Sequence, residues 1–565
     1  MMIGIDLGTT NSLVCVYRNG KTELIPNALG EYMTKSAVSV LEDGTILTGT
    51  AAKERLISHP DQTAASFKRF MGTEKTYTLG DKTFLPHELS ALILKQLYDD
   101  AKRYLGEEID EAVISVPAYF DDNQRNATKL AAQLAGLPVK RLINEPSAAA
   151  LYHNLHTSVQ DCRLMLIDFG GGTLDVSIVE CFENVIEIIA IAGDNQLGGD
   201  DIDKAIAEHF CKIHSLKLSE LSKHHQAALF RQAEAAKKAL SEGSVPVIRM
   251  IMQETYELEL NKSLLRALCQ PYLNRMKSVI ARAVHDSHLS PPELDDIILA
   301  GGSAKLAVLG DFLEELTGRR PYVSMRSEYM VAEGTGICAG IKERREELQD
   351  IVMTDVCPFS LGIAVANDVR DQNLHMAVLI QRSSMLPTSR TETFYTLYDN
   401  QTHIRLQIFQ GEGYYASENL KLGELMVRVP RGRAGQHYVK VCFAYDINGI
   451  LHVDAESSGG DFQDTVIVNP SVQLDEAELL EKVEMLKHLR FIEEGSEEDH
   501  LLMAKMERLY EELIGSEREQ VAELLAGYQK VLQCRDQIEL RKLRKFAKVQ
   551  TQNWEQMLSA DPWQV

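Results

Sequence analysis

Two stretches of the chain, "IGIDLGTTNSLVCVY" (Ile3–Tyr17) and "LIDFGGGTLDVSIVE" (Leu166–Glu180), follow one plan. In each, an apolar run ends in aspartate, glycine and small or hydroxylated residues follow, and a second run of β character begins. They lie roughly 160 residues apart, and a repeat on that scale predicts two like halves facing each other, each offering a strand–turn–strand. Glycine lets backbone N–H groups come close enough to cradle phosphate oxygens. Thr9, Thr10 and Thr173 add hydroxyl donors. Asp6 and Asp168 would repel phosphate, so their natural partner is a hydrated Mg²⁺ riding on it. Two tight hairpins without a ligand would leave unexplained an aspartate at the same place in both.

The remaining chain bounds the answer. Its 565 residues suit two to four domains. A net charge of −23 argues against a nucleic-acid surface, because phosphate backbones require Lys and Arg. Nine scattered cysteines without a C-x-x-C pair argue against a zinc site or a disulfide framework and fit a reducing cytosol. The opening residues carry no secretory pattern. The most apolar stretch, near Val185, is too short to span a bilayer. A cytoplasmic protein without membrane or nucleic-acid partners is expected.

Strand-like and helical runs alternate over residues 1–346, which predicts an α/β domain. A linker is expected at 347–355. Residues 356–470 read as strands, with a hairpin at Asn448-Gly449. Residues 471–565 read as helices, starting at a capping box of Asp475 and Glu478 and interrupted at Gly515 and Gly527.

Neither G-x-x-x-x-G-K-[ST] nor a helix-opening G-x-G-x-x-G is present. The paired hairpins instead resemble the nucleotide clamp shared by actin, hexokinase and the heat-shock chaperones, and "LAGGSAKL" (Leu299–Leu306) resembles its adenosine turn. "GIDLGTTNS", "VPAYFDDNQR", "INEPSAAAL", "DFGGGTLDVSIVE" and "GDNQLGGDDID" resemble the DnaK-type seventy-kilodalton heat-shock chaperones, as do "PFSLGI", "DNQ", "QGE" and "NGILHV" in the β region. The resemblance covers about residues 1–490 and is nearest to the bacterial HscC branch.

That resemblance implies an actin-like two-lobed ATPase domain, an all-β sandwich that binds extended apolar peptide, and an α-helical lid. It implies ATP/ADP, Mg²⁺ and K⁺ as cofactors and a J-domain co-chaperone as partner. Residue by residue, it assigns Asp6, Gly8, Thr9, Thr10 and Asn11 to the first phosphate hairpin, and Asp168, Gly170, Gly171, Gly172 and Thr173 to the second. Asp6 and Asp168 would reach Mg²⁺ through water. Lys68 would steady the γ-phosphate and Glu145 would orient the attacking water, with Thr173 completing the catalytic group. Gly198, Gly199, Glu234, Lys237, Lys238, Ser241, Gly301, Gly302, Ser303, Lys305 and Glu328 would hold the nucleoside. Lys305 stands where arginine is usual, which predicts weaker adenine stacking. Pro117 and Arg125 resemble an allosteric switch and relay, and Arg141 and Asp355 resemble docking and linker residues. Ile363, Phe394, Ile404 and Leu406 would line the peptide pocket, with Ala366 and Leu397 arching over it.

Departures from the family pattern shape the expected role. One lobe is trimmed after "FMGTEKTYTLGDKTFLP", the hairpin within Ser241–Leu260 is short, and the linker carries Met353 and Thr354 in place of an all-aliphatic run. The short hairpin leaves the use of an exchange factor open. Together these features predict a narrow client set and a dedicated J-domain partner. A metabolite kinase or an actin-like filament protein would have no use for a β domain after residue 355, and intact Lys68, Glu145 and Thr173 disfavour an exchange co-chaperone that barely cycles.

Overall fold

In the computed structural model, described residues are 1–156, 161–252, 254–366, 373–466, 476–493, 495–534 and 537–559. The sequence repeat is a structural repeat. In the first lobe, strand Met2–Leu7 pairs antiparallel with Asn11–Arg18 and parallel with Glu111–Val116. In the second, Asp161–Phe169 pairs antiparallel with Leu174–Phe182 and parallel with Asp296–Ala300. Both central strands are almost wholly buried, as near-continuous apolar runs require when helices cover both sheet faces. Helices Glu145–His156 and Met330–Lys342 join the lobes. They approach so closely that a side chain at Gly334 would strike the Ala148 carbonyl.

The residues expected to form a linker are not a free connection. Val352–Val356 is a strand that extends the second lobe's sheet, pairing parallel with Val185–Asp194 through Val185↔Val352, Ile186↔Met353 and Glu187↔Thr354. Its far end pairs antiparallel with Met385–Leu386 of the β domain. A neighbouring edge strand with open backbone groups makes this pairing favourable.

The β domain is a sandwich of two four-stranded sheets. One sheet runs His375–Ile380, Leu361–Val365, His403–Gln410, Leu420–Arg428; the other runs Thr388–Tyr395, Tyr438–Tyr445, Leu451–Ser457, Phe462–Val466. The hairpin at Asn448-Gly449 joins Tyr438–Tyr445 to Leu451–Ser457, with Gly449 in the left-handed region at φ 72°. Period-two alternation puts Val439, Val441, Phe443 and Tyr445 on the inner face.

Four helices follow: Glu476–Lys487, Glu497–Glu512, Gly515–Cys534 and Gln537–Ser559. The expected break at Gly515 is present, but Gly527 lies inside an unbroken helix. Asp475 of the expected capping box, and the 470/471 domain boundary, lie outside the described residues. The helices pack around Met506, Leu509, Val521, Tyr528, Ala547 and Trp554. They sit against the ATPase-like lobes: Glu497–Glu512 lies along Gly49–Ser58, and Leu486 enters the first lobe's core. Arg508, fully buried, is ion-paired to Glu54, Glu512 and Glu555. Among the described residues no helix is long and apolar enough to cross a membrane.

Candidate active site

A cavity of about 430 Å³ opens between the lobes, within the range of small-molecule sites. The first hairpin contributes Asp6, Gly8, Thr9, Thr10 and Asn11, and the second Asp168, Gly170, Gly171 and Thr173. Lys68 and Glu145 form its base. Gly199, Glu234, Lys237, Lys238, Ser241, Gly301, Gly302, Ser303, Lys305 and Glu328 form the opposite wall.

Gly172 and Gly198, expected in the site, do not line it. A side chain at Gly198 would strike the Gly171 carbonyl at 2.3 Å, so this glycine serves to let two loops close on each other. Nor does the glycine run require unusual dihedrals, since Gly170, Gly171 and Gly172 have no positive φ. The requirement is proximity: a Cβ on Gly171 would lie 1.9 Å from the Thr10 hydroxyl. The two hairpins therefore nearly touch, tip to tip. The Thr10 hydroxyl is buried there without a hydrogen-bond partner.

Lys68 is delivered by the short turn Phe67–Phe70, which follows Ser66 in the left-handed region. That strained backbone turns the chain sharply inward, and the Ser66 hydroxyl donates to Asp200 at 2.7 Å. Lys68 Nζ donates to Glu145 Oε1 at 2.7 Å, and both side chains are buried. Glu145 opens helix Glu145–His156, where the helix dipole favours an acid.

The surrounding charge is out of balance. Burial, then the Glu145 charge, pushes Asp6 up to about 7, against the opposing Lys68 and a Ser115 hydrogen bond. Burial followed by Glu145 also raises Asp175 to about 7. Asp168 is raised well above the ordinary range by burial, then by Glu145, Asp175 and Asp6. Lys68 alone cannot neutralise four carboxylates, and a divalent cation would offset two more of these charges. Among the described residues no three such side chains converge tightly enough to hold a metal directly.

On the nucleoside side, Lys237 pairs with Asp203 at 2.7 Å and donates to the Gly199 carbonyl at 2.9 Å. Burial opposes the Glu234 charge, but Lys53 and Lys238 outweigh it and hold that carboxyl well below its usual range. Lys53 comes from the first lobe, so this pair bridges the cleft. The Ser303 hydroxyl donates to the Gly170 carbonyl at 2.8 Å, and Lys305 reaches Glu328 at 3.4 Å.

Three charged side chains in or beside the site were not singled out from the sequence. Lys35 donates to Asn11 at 2.8 Å from a two-residue strand with no motif around it. Asp203 was visible only as one acid among several in "GGDDID". Asp175 could have been found: antiparallel pairing places it opposite Asp168, on the same face.

Two of the expected allosteric residues, Arg125 and Asp355, are joined by a hydrogen-bonded path through Asn144, while Pro117 and Arg141 lie off it. Strand Glu111–Val116 stops at Pro117, and a capping box between Asp121 and Gln124 starts the helix carrying Arg125. Buried Arg125 donates to the Ala118 and Phe120 carbonyls and, at 2.7 Å, to Asn144. Asn144 and Ser147 donate to Asp355 of the linker strand at 2.9 and 2.7 Å. Asn144 is the chain neighbour of Glu145, so the Asp355 carboxylate is hydrogen-bonded to the residue next to Glu145. Arg141 instead donates to the Ile447 carbonyl of the β domain at 3.0 Å.

The expected peptide residues divide. Ile363, Ile404 and Leu406 are buried within the sandwich core and Phe394 packs against it, while Ala366 is partly exposed and Leu397 exposed.

The family model described as "Hsp70 protein" matches residues 2–559. The chain is 38% identical over 501 residues to the chaperone protein DnaK of Thermotoga petrophila, covering 86% of this chain and 83% of that one. It is 38% identical over 500 residues to the chaperone protein DnaK of Thermosipho melanesiensis, with the same coverage. The chain therefore belongs to the Hsp70 family, whose members are ATP-hydrolysing chaperones.

Proposed function

We propose that this protein is an ATP-driven chaperone in which hydrolysis between the lobes governs capture of extended apolar peptide by the β domain. The observation that carries this reading is the path from Lys68 and Glu145 through Asn144 to Asp355. Phosphoryl transfer to water needs in-line positioning and charge neutralisation more than covalent help. Lys68 supplies fixed positive charge toward the γ-phosphate. Glu145, held by Lys68, accepts a hydrogen bond from the attacking water. The hairpin amides and the Thr9, Thr10 and Thr173 hydroxyls cradle the phosphates. Asp6 and Asp168 are the residues that would hold Mg²⁺, which would supply charge neutralisation when bound. K⁺ is assigned to the same acidic site. The Gly199, Glu234 and Ser303 walls hold the nucleoside.

Ile363, Phe394, Ile404 and Leu406 form the peptide pocket once the β domain separates from the lobes, with Ala366 and Leu397 as its arch. The buried state of three of them in the docked arrangement supports a pocket that opens on release. Arg141 is a docking residue shared between the β domain and a J-domain partner. The short hairpin of Val247–Ile251 and Thr255–Glu259, the Lys305 position and the Thr354 linker support an HscC-like specialist with a narrow client set and a dedicated J-domain partner in the cytoplasm. The test is the ATPase rate of the full-length protein with and without an unfolded apolar peptide and a J-domain protein. Stimulation by both is expected; a rate indifferent to both would refute the proposal.

A further inference from the structure

Two cysteines lie outside every role described above. Cys162 and Cys181 are directly opposed on the antiparallel strands Asp161–Phe169 and Leu174–Phe182, and both are buried and free. Their thiols are within hydrogen-bonding reach of each other. Opposed Cα atoms in such a ladder stand about 4.5–5.5 Å apart, inside the roughly 4.4–6.8 Å span of disulfides. The register continues sideways without a break. Cys181 faces Ile186 on the next strand, and Ile186 faces Met353 of the linker strand. Directly paired residues share a face, so Cys162, Cys181, Ile186 and Met353 form one row, and all four belong to one apolar cluster.

We propose that Cys162 and Cys181 are a redox pair whose closure to a disulfide releases the linker strand from the sheet. The oxidant is a hydroperoxide. Cys162 is the attacking sulfur, being the less deeply buried of the two. Its sulfur takes one peroxide oxygen to become a sulfenic acid, and the other oxygen leaves as water or an alcohol. The Cys181 sulfur then attacks the sulfenic sulfur, the S–S bond forms, and water departs. Burial pushes Cys181 up to about 12 and also raises Cys162, so the reaction is slow and answers sustained rather than momentary oxidation. Closing the bond draws the sulfurs to about 2 Å. The side chains must rotate and the strand ends shift, which disturbs the contact of Ile186 with Met353.

The test uses full-length protein with ATP, treated with hydrogen peroxide and then alkylated. A non-reducing digest is expected to yield a peptide linking Cys162 to Cys181 that dithiothreitol abolishes. Amide exchange over Val352–Val356 is expected to quicken about tenfold on oxidation and to recover on reduction. Cys162→Ala should form no such link and keep its linker protected under peroxide. The proposal fails if no Cys162–Cys181 peptide forms, or if it forms and linker exchange does not change. It fails equally if oxidised Cys162→Ala exposes its linker as the wild type does.

Discussion

Single residues in this site are defined by what surrounds them. Lys68 is a buried cation whose nearest partner is the carboxylate it must steady. Lys68→Ala is expected to leave ATP binding largely intact, because the hairpin backbones remain, and to slow single-turnover hydrolysis by about 10²-fold through lost charge stabilisation. A second expectation follows from Asp6. Its value in the folded protein is raised from the ordinary 3.8 to about 7, so the folded state binds that proton more tightly than the unfolded chain. The stability this contributes is complete below the ordinary value and is lost as pH rises through about 7. Without nucleotide, thermal stability of the wild type should therefore fall from pH 5 to pH 8 more steeply than that of Asp6→Asn. Mg²⁺ with ADP should flatten the difference. At this scale the sequence was informative where a pattern repeated. Asp6 and Asp168 were legible because they recur at one place in two hairpins, and Lys68 and Glu145 through the motifs around them. Lys35 was not, because its only distinction is a long-range contact with Asn11.

Among elements, the strand Val352–Val356 is decisive, since it belongs to the ATPase sheet by hydrogen bonding and to the β domain by connection. The Thr354 hydroxyl is buried there without a partner. Such a group costs about 1–3 kcal/mol, so the docked arrangement carries a penalty that a hydrocarbon would remove. Thr354→Val should raise the docked population by roughly tenfold, read as slower amide exchange across the strand. Element type was legible from periodicity and turn chemistry: the Asn448-Gly449 hairpin and the helical character of the C-terminal region needed only local information. The linker was read as a connection because five residues of mixed character say nothing of a partner strand more than 150 positions earlier. Gly527 misled for a related reason, since one glycine in a packed helix costs only about 1 kcal/mol and packing covers it.

For the whole molecule, helices Glu476–Lys487 and Glu497–Glu512 rest on the first lobe, and the β domain abuts it through contacts such as the Asp122 amide donating to Gln410. No sequence pattern reveals that seat. Its keystone, Arg508, reads as one more surface arginine in an acidic helix, yet it is fully buried among Glu54, Glu512 and Glu555. Removing one partner of a buried ion pair costs about 3–5 kcal/mol because the others stay buried and uncompensated. Arg508→Met should release the helices from the lobe, seen as deprotection of Gly49–Ser58 in hydrogen exchange, while ATP affinity holds. The coupling proposed here joins the linker carboxylate of Asp355 to Glu145 as one connected device. It is tested most directly by single-turnover ATP hydrolysis in full-length wild type and Asp355→Ala, each with and without an extended apolar peptide. The account predicts that peptide accelerates hydrolysis in the wild type and leaves Asp355→Ala unmoved at unchanged ATP affinity. Equal acceleration of both proteins would contradict it.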